Sequence, residues 1–112
     1  MSFGFHPCDD HLTVTLQGAL TPEEHAALRA AFWKAFALDK LPCVLVDLHA
    51  AAGLDPVVIS LFVGAQNLAA KEQARFGLVG VGEENRRLLQ AFNLVGYFQL
   101  YPDAEAAVAQ TE

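Results

Sequence analysis

Val44-Leu45-Val46-Asp47-Leu48 is apolar at four of five successive positions and rich in β-branched residues. A strand with one wet face alternates between apolar and polar side chains. A run without alternation fits a strand covered on both faces, as in the middle of a parallel sheet. Asp47 is the exception within it. Seven residues past Leu48, Asp55-Pro56 opens a helix that continues to about Ala70. Asp accepts from first-turn amides, and Pro suits the first helical position. A buried strand, a short loop and a capped helix form half of a β-α-β unit.

Upstream, His11-Leu12-Thr13-Val14-Thr15-Leu16-Gln17 alternates strictly, placing Leu12, Val14 and Leu16 on one face before Gly18 ends the strand. A shorter extended segment precedes it across the Pro7-Cys8-Asp9-Asp10 turn. Thr21-Pro22-Glu23-Glu24 starts a helix with a capping box. Leu28, Phe32, Ala35 and Phe36 share one face of it to about Leu38, and Asp39-Lys40-Leu41-Pro42 breaks it. Downstream, the sequence predicts a strand over 76–81 and a helix from Glu83 to about Leu94 with Leu88, Leu89 and Phe92 inward. A short strand from Tyr97 to Tyr101 follows, then a helix capped by Asp103 and running through Gln110. The order is β-β-α-β-α-β-α-β-α. Helices alternating with strands predict right-handed crossovers and a largely parallel sheet, with an antiparallel hairpin at the start.

Composition narrows the function classes. The chain of 112 residues is read as one domain over 1–112, with 54% hydrophobic and 18% charged residues, and this is not the make-up of a disordered tail. The formal net charge of −6, with no Lys/Arg run, speaks against nucleic acid and against docking on anionic lipid. No apolar run approaches the ~20 residues that span a bilayer, and the N-terminus lacks the pattern of a signal peptide. A cytoplasmic protein is expected. Cys43, within an apolar strand, is expected to be a buried thiol, and His6, Cys8 and His11 lack a fourth ligand for a metal.

The ordered set resembles the STAS domain, the family of bacterial anti-sigma-factor antagonists and of the cytoplasmic tails of sulfate transporters. Leu16-Gln17-Gly18-Ala19-Leu20 is similar to the family's strand ending before the first helix. Val44 to Leu48 followed by Asp55 is similar to its central strand and the Asp opening its second helix. Leu78-Val79-Gly80-Val81, Arg87-Leu88-Leu89, Gly96-Tyr97-Phe98 and Glu105-Ala106-Ala107 follow in family order. The resemblance implies an α/β fold, a mixed sheet of about five strands with an N-terminal hairpin and the remainder largely parallel, and four helices. It also implies a protein that works by binding another protein. In phosphorylation-controlled members the Asp is followed by Ser and then Ser or Thr, and a partner kinase modifies that Ser. Here those positions are Pro56 and Val57, which have no hydroxyl. The usual switch has no acceptor.

On the second helix, Val57, Val58, Leu61, Phe62, Ala65, Leu68 and Ala69 share a broad face that is assigned to the core. Pro56, Ile59, Val63, Gln66 and Ala70 lie opposite. Either this side is open, and Pro56, Ile59 and Val63 form an apolar ridge, or a neighbouring element covers it. An open ridge predicts that Ile59→Asp or Val63→Asp abolishes binding and spares the fold. The expected partner-binding set is Asp55, Pro56, Ile59, Val63 and Gln66, with His49 as a loop residue at the same end. Ser60 is read as a surface serine or a displaced phosphosite. Gly80-Val81-Gly82-Glu83-Glu84-Asn85 mimics a dinucleotide fingerprint but has Asn85 for the third glycine and two acids facing the phosphates. With no nucleophile-base pair, no enzyme is expected. No cofactor or metal is assigned, while a nucleotide or lipid ligand and a homodimer are left open. Two partner classes are expected: an anti-sigma factor or switch-kinase-like regulator, or the ATPase of an ABC-type lipid transport system with this chain as accessory subunit.

Overall fold

The computed structural model describes residues 3–7, 11–103 and 106. β1 (Phe3–Pro7) pairs antiparallel with β2 (His11–Gly18), and β3 (Cys43–Ala51), β4 (Arg75–Val79) and β5 (Gln99–Tyr101) continue the sheet in parallel. Val14, Val46, Leu78 and Leu100 stand in one row across it. The strand order is β1-β2-β3-β4-β5, so each crossover advances in the same direction. Right-handed crossovers that never reverse must put their helices on one face. They do. α1 (Pro22–Trp33), α2 (Pro56–Lys71) and α3 (Glu83–Ala91) share one core with Val14, Leu16, Val44, Val46, Leu48, Phe76 and Leu78. The other face carries a smaller cluster of Cys43, Leu45 and Val79, with Tyr101 beside it.

Local chemistry explains the helix starts. Thr21 Oγ1 accepts from the Glu24 amide at 3.2 Å and Glu24 Oε1 accepts from the Thr21 amide at 2.9 Å, the expected reciprocal box. The first helix does reach Leu38, but its last stretch, Lys34–Leu38, is a π turn. Ala35 and Phe36 within it are buried, and Lys34 bonds Asp39 at 2.9 Å across the turn. Asp103 Oδ1 accepts from the Ala106 amide at 2.8 Å, as a cap would. The predicted helix beyond it, through Gln110, lies outside the described residues, as does Cys8 of the first turn. No helix among the described residues is long and apolar enough to cross a membrane.

Two face assignments need correction. Phe92 was expected inward, but α3 ends at Ala91 and Phe92 is exposed. The larger correction concerns α2. Ile59, expected on the outer ridge, is only 4% exposed, and Val57, expected inside, is 48% exposed. Val63 and Gln66 are half-buried, and Gln66 Oε1 is enclosed with no hydrogen-bond partner. The reason is the position of α2 as the middle crossover. Between the α1 and α3 crossovers, it is covered by the sheet beneath and by a neighbour on each flank, so its buried arc is wide. On the flank of Ile59 and Val63, Tyr97 donates to Asn67 and ties the segment after α3 to α2. That flank is closed. The buried arc is turned by roughly 40° from the one that residue hydrophobicity alone selects.

Candidate docking site

The parallel strands all end at one edge of the sheet, where the loops after β2, β3 and β4 emerge. The β3–α2 loop is held at three points. The Ala52 amide donates to the Gly18 carbonyl at 3.2 Å, which ties the loop to the end of β2. Leu54 is buried, and its amide donates to Asn85 Oδ1 at 2.9 Å. Asp55 Oδ1 accepts from the Val58 amide at 2.8 Å as the α2 cap. The loop is therefore preorganised, and Pro56 and Val57 emerge from it exposed on the first turn of α2.

Asn85 is the buried polar residue among those described, at 6% exposed, and residue-by-residue reading missed its role. The signal was present. Asn85, Leu88 and Leu89 stand at i, i+3 and i+4, which places an amide on the inward stripe of α3. Replacing it with Ala leaves the Leu54 amide unpaired in a buried position. The expected cost is about 1–3 kcal/mol. Urea denaturation measures that loss, and amide exchange at Leu54 should accelerate relative to the strand amides. Unchanged exchange would mean that the side chain does not hold the loop.

The expected partner-binding residues are only partly brought together. Asp55 is half-exposed, and its Oδ2 lies 3.9 Å from His25 Nε2 of α1, a neighbour the sequence did not suggest. Glu84 reaches over the loop: a Cβ added at Gly53 would sit 3.5 Å from its Oε1. His49 is held apart from α2. Leu48 belongs to the helix-side core, so alternation sends His49 to the opposite face. Its Nδ1 lies 2.7 Å from Asp47 Oδ1, and its backbone amide donates to the same oxygen at 2.9 Å. The ring covers Gly80, where a Cβ would come within 2.4 Å of it. With φ of +68°, Gly80 is also in the left-handed region, so the glycine of the false dinucleotide motif serves this turn. Among the described residues no three His, Cys, Asp or Glu side chains converge as a metal site.

The model of a known family described as "Mlab, STAS domain" matches residues 5–101. The chain belongs to the STAS family. Solved STAS structures superpose over almost its whole length. An anti-sigma factor antagonist from Mycobacterium paratuberculosis is 26% identical with a TM-score of 0.80, covering 96% of this chain and 91% of that one. The Bacillus cell fate determinant SpoIIAA in its phosphorylated form is 16% identical with a TM-score of 0.81, covering 98% and 99%. RsbS of Moorella thermoacetica is 13% identical with a TM-score of 0.85, covering 98% and 94%. No curated protein sequence matches. In this STAS domain the two positions after the helix-opening Asp55 are Pro56 and Val57, and the nearest hydroxyl along α2 is the exposed Ser60.

Proposed function

We propose that this chain is a non-enzymatic, cytoplasmic STAS domain that regulates a protein partner by docking. The contact would be the Asp55 loop and the first turns of α2, without phosphorylation at the usual position. The observation that carries this reading is the exposed Pro56-Val57 step on a rigidly held, capped helix start. A hydrophobic residue in that place is available to a partner and cannot accept a phosphoryl group. Residues 49–55 contain no Ser, Thr or Cys, so His49 has no nucleophile beside it in this segment, which supports docking over catalysis. The absence of a nearby acceptor makes the domain a constant binder, or one controlled through its partner.

The antagonists among the solved neighbours favour an anti-sigma factor or switch kinase as that partner. A second reading, docking on the ATPase of an ABC-type lipid transport system, is kept because the matching family model is the one described as Mlab. Incubation with the switch kinase and labelled ATP, followed by mapping of the label, tests the silent switch. The expected result is a complex that survives ATP with no label on the domain. Stoichiometric label on Ser60 would sink it. Affinity purification from the source cell separates the partner classes, since a kinase and a transporter ATPase are distinguishable at once. Recovery of neither counts against both.

A further inference from the structure

Along their outer edges α1 and α2 leave a groove of about 330 Å³, lined by Arg29, Trp33, Ser60, Gly64 and Leu68, with Phe32 beneath. Trp33, the one tryptophan of the chain, is 52% exposed. Arg29 lies four positions earlier on the same face and has no hydrogen-bond or ion-pair partner among the described residues. Gly64 stands inside α2, where glycine weakens a helix through backbone entropy. Packing within the domain does not require it, because a Cβ at Gly64 would meet nothing within 4 Å. A tryptophan, an unpaired arginine and an empty place on a helix are the make-up of a binding hot spot.

We propose that this groove receives a helix of the partner protein, with an apolar side chain seated between Trp33 and Gly64 and an Asp or Glu against Arg29. Ser60 and Gly64, one turn apart, let the incoming backbone approach closely, as in helix-in-groove recognition. The charge points the same way. The chain has 13 Asp and Glu against 7 Lys and Arg, yet the groove lining holds a cation and no acid. A second copy of this chain is the poorer occupant, since an isologous contact would bring two Arg29 side chains and two acidic domains to one seam. The inference rests on the docking function and extends its surface about two turns along α2 from Val57.

Trp33 supplies the readout. Its emission is titrated with an amphipathic helical peptide of about 18 residues carrying Leu at helical spacing and flanking Glu, and with the same peptide carrying Lys. The Glu peptide should shift Trp33 emission to the blue and saturate, and the Lys peptide should bind at least about ten-fold more weakly. Gly64→Leu should lose the response while its thermal midpoint stays at or above that of the unaltered domain. Arg29→Glu, a surface change, should reverse the peptide preference even if Gly64→Leu does not fold. Equal response to both peptides, an undiminished response in Gly64→Leu, or a Trp33 shift that depends on protein concentration alone would each overturn the proposal. Val57→Asp should leave this titration intact, so failure of the groove and failure of the Asp55-end contact are told apart.

Discussion

Phe62→Ala should lower the stability of the domain by about 3–5 kcal/mol. Phe62 is fully buried and packs against three other rings. Its centroid lies 6.4 Å from Phe32, 5.9 Å from Phe76 and 6.4 Å from Phe98. Those rings come from α1, β4 and the approach to β5, so the side chain joins the helix layer to the sheet at its middle. Truncation removes the transfer energy of the ring and leaves a cavity that four different elements would have to move together to fill. A small domain holds only about 5–15 kcal/mol in total, so the loss is a large fraction of it. Urea unfolding should show a lower midpoint with an unchanged slope. Phe92→Ala, at an exposed ring, should move the midpoint by no more than about 0.5 kcal/mol equivalent. Similar effects at the two positions would contradict the burial assigned to α2.

The core was readable because burial leaves a linear mark. Val44 to Leu48 loses alternation where both strand faces are covered, and Thr21 and Asp55 name their helix starts through hydrogen bonds that close within one turn. What was not readable depends on neighbours. A helical wheel ranks the faces of α2 by hydrophobicity, but which flank is buried depends on elements distant in sequence, such as the segment after α3, whose Tyr97 bonds Asn67 from thirty residues away. The site shows the same division. Asp55 and the missing hydroxyls at Pro56 and Val57 are local facts. Asn85 holding Leu54, and His25 lying beside Asp55, arise only when α3 and α1 are brought to the loop. The π turn at Lys34–Leu38 has no sequence signature of its own: a regular helix would also turn Ala35 and Phe36 inward, so the spacing of apolar residues does not reveal it.

Val57→Asp and Ile59→Asp, two positions apart, should fail in opposite ways. An open ridge of Pro56, Ile59 and Val63 would make Ile59→Asp a binding mutant with an intact fold. The buried position of Ile59 reverses that expectation. An aspartate there loses the apolar burial of the isoleucine and places an unpaired carboxylate in the main core, a combination that exceeds the stability of most small domains. Ile59→Asp should therefore be found unfolded or insoluble, with no cooperative melt. At Val57 the side chain already faces water on the first turn of α2, and an acid near a helix N-terminus interacts favourably with the helix dipole. Val57→Asp should keep the wild-type melting temperature or raise it slightly. Against the partner it should weaken docking by at least about 2 kcal/mol, some thirty-fold, because a charge replaces an apolar contact next to Asp55. Calorimetric titration with the partner, set beside a thermal melt of the same preparation, reads both effects. A Val57→Asp domain that melts normally and binds normally would move the contact surface away from the Asp55 end of α2. A folded Ile59→Asp domain would return Ile59 to the surface and undo the turned face of the helix.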